Sequence, residues 1–273
     1  MMSTTVYFHP RRTLVATWDT RGTVPCLASF REYAPEDHSA VAEVHSDALT
    51  VIVGQDGWFL HSYPCSTDNP SDHRLAFEVQ EVCGLPADHR IDLECSQRLR
   101  SGMAWSSFIA VRPGALQAHE VTFADLIRAD VSVDIGVALA CTPPQNRPWA
   151  LHGRRGDRVI TAFIDTDHRL SAIAIRAITD QAPYHEATLA ELASVGQRFD
   201  ADIKHVMLFG DFLTLPMIDD VKAALRSAGI KSTRLQPFRH VESSLDQATA
   251  SRIIARAHVI APIMAGILPQ LSA

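Results

Sequence analysis

The chain carries 13 histidines and 31 acidic residues, and four of the histidines directly follow an aspartate: Asp37-His38, Asp72-His73, Asp88-His89 and Asp167-His168. Side chains on adjacent residues do not converge easily on one ion. None of these pairs has the HxxxH or HExxH spacing that stacks two ligands on one helix face. Solvated imidazoles in turns account for the pattern, so no metal site is expected. The sequence contains no Gly-x-Ser-x-Gly elbow and no P-loop. A Ser/His/Asp triad needs no closeness along the chain, and with so many candidates the residue types alone assign none. Five cysteines (Cys26, Cys65, Cys83, Cys95, Cys141) form no CxxC pair, which fits free thiols in a reducing compartment.

The elements that must position any site are legible as short strands and helices. Residues 6–8, 13–18 and 23–30 read as strands joined by His9-Pro10-Arg11-Arg12 and Asp19-Thr20-Arg21-Gly22, an antiparallel meander. Residues 49–53 and 58–61 read as a hairpin around Asp56-Gly57. A helix is expected over 72–82, a strand over 105–111, a helix over 113–126, a short strand over 131–133 and a helix over 135–140. Pro143-Pro144, Pro148 and the Gly153/Gly156 stretch read as a boundary loop. Beyond it come strands 158–164 and 170–178 around Asp165-Thr166-Asp167-His168-Arg169. They are followed by helix 186–199, strand 205–209, helix 216–228 ended by Gly229, strand 231–235 and a final helix 248–268 bent at Pro262. A hairpin group followed by alternating helix and strand thus occurs twice, the mark of two α/β lobes with mixed sheets flanked by helices.

The bulk numbers restrict function. Hydrophobic residues make up 47% and charged residues 21% of 273, enough for a sizeable core. Lys plus Arg number 25 against 31 Asp plus Glu, a net charge of -6, which argues against a nucleic-acid partner. The arginines at Arg11-Arg12 and at Arg154-Arg155 with Arg158 read as solvated loop charge. No basic stretch followed by an apolar one opens the sequence, and the apolar run 259–268 is too short to span a bilayer. A cytoplasmic protein that is not integral to a membrane is the expectation.

Val206-Met-Leu-Phe-Gly210-Asp211, then Pro216-Met-Ile, Ala228-Gly229-Ile230 and Arg234-Leu-Gln-Pro237-Phe238, resemble the last αβ unit of the actin-like ATPase superfamily. Pro262-Ile-Met-Ala265-Gly266-Ile-Leu resembles the closing helix of its pilus-assembly branch, the PilM-like and GspL-like proteins. Val131-Ser-Val133-Asp134-Ile135-Gly136-Val-Ala138-Leu139 resembles that branch's exit from the first lobe. The resemblance implies a first actin-like lobe over 1–145, with a small inserted subdomain near 45–111, and a second lobe over 146–273 whose last helix packs back toward the first.

In that superfamily an Asp-x-Gly turn followed by hydroxyl residues opens each lobe and cradles phosphate. The matching first-lobe positions are Phe8-His9-Pro10-Arg11-Arg12-Thr13, where Phe8 replaces the carboxylate and Pro10 removes both the glycine and a donor. The second-lobe match is Asp165-Thr166-Asp167 with Ser171. Here Asp167 takes the glycine place, and its charge beside phosphate would cost roughly 1–4 kcal/mol unless a metal ion lay between. The third loop is Gly210-Asp211, with one glycine of two. Only 45 residues separate Asp165 from Gly210, too few for the subdomain that walls the adenine pocket. Val133-Asp134-Ile135-Gly136 matches the Asp-x-Gly pattern by letters, but a helix follows it rather than a hairpin strand, so the match reads as chance.

The resemblance therefore implies a vestigial cleft at Thr13, Asp165, Thr166, Asp167, Ser171, Gly210 and Asp211, with no cofactor and no catalysis. It also implies a scaffold or adaptor of a pilus or secretion assembly. Such a protein would bind a cytoplasmic segment of an inner-membrane protein in a first-lobe groove, near residues 51–111, and sit at the inner membrane through that partner. The alternatives are a divergent ATP-binding ATPase or kinase, supported by Asp165, Ser171 and Gly210, and an actin-like protein of unrelated role.

Overall fold

The structure, a computed structural model, describes residues 1–35, 47–65, 89–98, 104–112, 114–119, 121, 124–177, 184–199, 202–211 and 215–271. Strands β1 (Met2–His9), β2 (Arg12–Asp19) and β3 (Cys26–Tyr33) form the expected meander. β4 (Ala48–Val53) and β8 (Leu126–Ala129) extend that sheet in parallel beyond β1. β1 is buried along nearly its whole length, Ser3, Thr4 and Thr5 included, as befits a central strand covered on both faces.

Between β4 and β8 the chain builds a separate antiparallel sheet, ordered β5 (Trp58–Cys65), β7 (Ala104–Val111), β6 (Arg90–Arg98). β4 and β5 are consequently not a hairpin. β1 and β8 already flank β4, leaving it no free edge, and a 3₁₀ turn at Gln55–Gly57 hands the chain to the other sheet.

The second large sheet repeats the first. β9 (Trp149–Arg155), β10 (Arg158–Ile164) and β11 (Leu170–Ala177) are antiparallel, while β12 (His205–Gly210) and β13 (Lys231–Arg234) run parallel to β9. The order β11-β10-β9-β12-β13 mirrors β3-β2-β1-β4-β8, with β14 (Glu242–Ser243) added beside β3. β9 falls where the sequence suggested a loop. Its Gly153 is not a turn residue: a Cβ there would overlap the Phe209 carbonyl on β12, so glycine is what lets the two strands close up.

Helices complete the frame. α1 (Asp130–Ala140) starts where a strand over 131–133 was expected and is almost wholly buried. α2 (Tyr184–Phe199) and α3 (Leu215–Ser227) cover one face of the second sheet, with Leu192, Val195, Ile218, Val221 and Leu225 against Val206 and Leu208. Each such side chain contributes about 1.5–3 kcal/mol by leaving water. Within the stretch read as helix 113–126, the described residues form a turn and a 3₁₀ segment, Gln117–His119. Helix 72–82 lies outside the described residues.

The expected last helix is divided into α4 (Gln247–Ala255), α5 (Ala257–Ile260), a 3₁₀ run Ala261–Ile267 and α6 (Leu268–Leu271). The break comes before Pro262, at Arg256. The 3₁₀ run lies on the first sheet, where Trp18 Nε1 donates to the Ile263 carbonyl at 3.1 Å and the Gly266 N–H donates to Thr5 Oγ1 at 3.2 Å.

Candidate functional site

The hairpin turns of the two large sheets meet each other. β1 ends on His9 and turns through Pro10-Arg11, while β9 ends on Arg155 and turns through Gly156-Asp157. β12 runs alongside β9 and ends at Gly210, whose φ is +109°. Any Cβ at Gly210 would overlap the Arg154 carbonyl, so only glycine fits. That carbonyl accepts the Asp211 N–H at 3.1 Å, which sets Asp211 beside the Arg155 turn. From below, α1 brings Asp130 and Asp134, four residues apart and so on one helix face.

Arg155 is the hub, with a side chain only 1% exposed. Its Nε and Nη2 donate to the two oxygens of Asp134, each at 2.8 Å, and Nη1 donates to Asp211 Oδ1 and to the Val259 carbonyl. Four of the five guanidinium N–H groups are thereby taken. Asp211 Oδ2 receives His9 Nε2 at 2.9 Å and the Gly156 N–H at 3.3 Å. His9 Nδ1 accepts the Arg11 N–H at 3.1 Å, which leaves the ring proton on Nε2, donating to Asp211. Both imidazole nitrogens are occupied, so His9 has no lone pair free to act as a base.

Asp130 accepts from Tyr7 Oη at 2.9 Å and Trp58 Nε1 at 2.8 Å. The Arg155 guanidinium also lies 5.9 Å from the Tyr7 ring centre and 5.6 Å from that of Phe209, within cation–π range.

The electrostatics follow from burial. Burial pulls Arg155 down, but Asp134, Tyr7 and Asp211 outweigh it and hold its pKa well above the ordinary value. Asp211 is pushed up by burial, yet Arg155 and His9 bring it well below the usual carboxylate range. Asp130 and Asp134 are both raised, chiefly by burial, with Arg155 opposing. His258, next to the Val259 carbonyl that accepts from Arg155, is lowered to about 4 by burial and by Arg234 and Arg155. An incoming phosphate would meet an arginine already committed and several acids it would repel. The arrangement clamps two sheets together.

The structure brings together some of the residues anticipated from sequence and separates others. Gly210 and Asp211 belong to the junction. Thr13 is buried in β2 opposite Phe8, and Phe8 stacks on His119 with ring centres 3.8 Å apart. Asp165, Thr166, Asp167 and Ser171 lie at the other end of β10 from Arg155. The turn of the second sheet that faces His9 is therefore Arg154-Arg155-Gly156. It keeps a glycine, with φ +58°, and has a guanidinium in place of a carboxylate.

Sequence reasoning missed Arg155, His9, Asp134, Asp130 and Tyr7. Arg154, Arg155 and Arg158 are not simply solvated: Arg155 is buried, Arg154 Nε donates to the Gly156 carbonyl at 2.9 Å, and Arg158 lies 5.1 Å from the Trp58 ring centre. The usable signal was two aspartates four apart in a helix whose other residues, Ser132 and Gly136 aside, are apolar, and such aspartates need a buried cation or hydrogen-bond donors. Among the described residues, no three His, Cys, Asp or Glu side chains gather as metal ligands.

Comparison with solved structures places this architecture. A chain of the PilM–PilN type IV pilus biogenesis complex superposes with a TM-score of 0.66 at 10% identity, over 99% of this chain and 98% of that one. The chain has the actin-like fold. A Bacteroides thetaiotaomicron protein described as having an actin-like ATPase fold and unknown function matches with a TM-score of 0.56 at 7% identity. That match spans 86% of this chain and 91% of that one. The cytoplasmic domain of EpsL, an inner-membrane component of the Vibrio cholerae type II secretion system, matches at a TM-score of 0.44 and 12% identity, over 77% and 82% of the two chains. No protein-family model and no curated protein sequence matches the chain. The likeness to the chain of the PilM–PilN complex and the doubled strand order agree with the actin-like fold implied by the resemblance read from the sequence. In this actin-like chain the two facing hairpin turns are joined through Asp211.

Proposed function

We propose that this chain is a non-catalytic actin-like scaffold or adaptor that binds a protein partner. The observation that carries the proposal is the His9–Asp211–Arg155–Asp134 chain of bonds, which fills the junction of the two hairpin turns with the protein's own charges. The lobes are taken as residues 1–145 and 146–273, with an insert near 45–111, and the nucleotide cleft as vestigial.

The PilM–PilN complex supports a protein partner, which the resemblance read from the sequence makes a cytoplasmic segment of an inner-membrane protein, holding this chain at the cytoplasmic face. Among the described residues no single helix is long and apolar enough to cross a membrane. A groove of about 320 Å³ beside the inserted sheet, lined by Arg90, Val111, Arg112, Leu116, Val121 and Ile127, has the apolar floor and basic rim to take such a segment. An assay of phosphate release from Mg²⁺-ATP tests the non-catalytic half, with no release above buffer expected. Turnover that disappears in Asp211→Asn would overturn it. Specific co-purification of an inner-membrane protein, abolished by Leu116→Glu, is expected of the partner half, and loss of nothing in that variant would contradict the groove.

A further inference from the structure

We propose that the outer edge of β13 and the flank of α3 form a second docking site, for an extended acidic peptide segment of another protein. It lies on the other large sheet from the groove described above and does not depend on that reading. β13 ends its sheet, and among the described residues no strand pairs with its outer side. Toward β12, the Lys231 N–H donates to the Lys204 carbonyl at 2.8 Å and the Leu235 N–H to the Leu208 carbonyl at 2.9 Å. In a parallel ladder alternate residues face opposite neighbours, so Ser232 and Arg234 turn their N–H and C=O groups outward. Such a row is a template for an added strand.

Beside that edge the chain leaves α3 through Gly229, at φ +72°, and the Ile230 N–H caps the Leu225 carbonyl at 2.8 Å. The turn opens a cavity of about 500 Å³ between helix and strand, lined by Lys222, Arg226, Gly229, Ile230, Lys231 and Ser232. Lys222 and Arg226 are four apart on one helix face and repel each other. Lys231 adds a third cation, and among the described residues none of the three pairs with an acid. Asp202, the acid near the start of β12, is held by Lys204 at 2.9 Å.

A concentrated positive cavity in a chain of net charge -6 is complementary to carboxylates. The outward backbone row is complementary to a peptide backbone, which neither a free phosphate nor a lipid headgroup can match. An added strand would present every second side chain on the α3 side, where Lys222 and Arg226 would meet carboxylates.

The test uses the full chain and a labelled peptide of about eight residues alternating Glu and Val, followed by fluorescence anisotropy and amide hydrogen exchange. Saturable binding is expected, with slower exchange at Ser232 and Arg234 and about tenfold weaker affinity in the exposed-face variant Lys222→Glu/Arg226→Glu. The same peptide N-methylated at every residue keeps its charge but has no N–H on either edge to pair as a strand, and is expected not to bind. No binding of the unmodified peptide would overturn the proposal, as would equal binding of the N-methylated form or unchanged affinity in the double variant. Binding of inorganic phosphate or phosphatidylglycerol vesicles with the same dependence on Lys222 and Arg226, in place of the peptide, would also overturn it.

Discussion

Strand β10 has a carboxylate-rich turn at one end and an arginine turn at the other, and the two use their charges in opposite ways. At the Asp165 end everything is local. Asp165 Oδ1 accepts the N–H groups of Asp167 and Arg169, each at 2.9 Å, and Oδ2 accepts Ser171 Oγ at 2.8 Å. The acid and hydroxyl that suggest phosphate chemistry are consumed in holding their own turn. At the Arg155 end the bonds are long-range, drawing His9 from β1, Asp134 from α1, Asp211 beyond β12 and the Val259 carbonyl from α5. An aspartate and a serine six positions apart, as Asp165 and Ser171 are, can be satisfied by turn geometry alone. A group that joins two sheets must come from distant parts of the chain.

The largest expected effect breaks the Arg155 side of this contrast. Arg155→Met strands Asp134 and Asp211 in a buried setting and is expected to cost about 3–5 kcal/mol, measured by urea or guanidinium unfolding. The next effect is a pH dependence at the same junction. The unfolded chain protonates a histidine near pH 6.5, whereas His258 in the fold does so only near 4. Below 6.5 the unfolded state therefore holds more protons. The contribution is complete above 6.5 and falls by about 1.4 kcal/mol per pH unit, to a loss of about 3 kcal/mol by pH 4. Subtracting the pH–stability curve of His258→Gln from that of the wild type isolates this loss, and parallel curves would refute it.

Asp211→Asn comes next, at about 2 kcal/mol, because Arg155 keeps Asp134 while the Asn amide loses the charge and puts an NH2 donor where one Asp211 oxygen accepted. The smallest effect belongs to the other end of β10. Asp165→Ala removes three local bonds at a partly exposed turn and is expected to cost about 1 kcal/mol, with the Arg155 junction unchanged by NMR. A cost at Asp165 as large as at Arg155 would erase the distinction.

The contrast also explains what could be read in advance. The two-lobed α/β plan was legible because its hairpins and its helix stop at Gly229 are local signals, and Gly229 does follow the helix end, at φ +72°. β9 was not legible. Gly153 and Gly156 resemble loop residues, and the demand for glycine at 153 comes from Phe209, 56 positions away. The same holds for Arg155: a run of arginines after prolines is ordinarily solvated, and only the fold supplies Asp134 and Asp211 to bury it. Gly210 and Asp211 were read as the remnant of a third nucleotide loop in a vestigial cleft, whereas the structure engages Asp211 with the protein's own Arg155 and His9.

Isothermal titration of the wild-type chain with Mg²⁺-ATP tests most directly whether the joined turns leave room for a nucleotide's phosphates. No saturable heat up to millimolar nucleotide is the predicted result. Micromolar binding, accompanied by loss of the His9–Asp211 contact, would contradict the account.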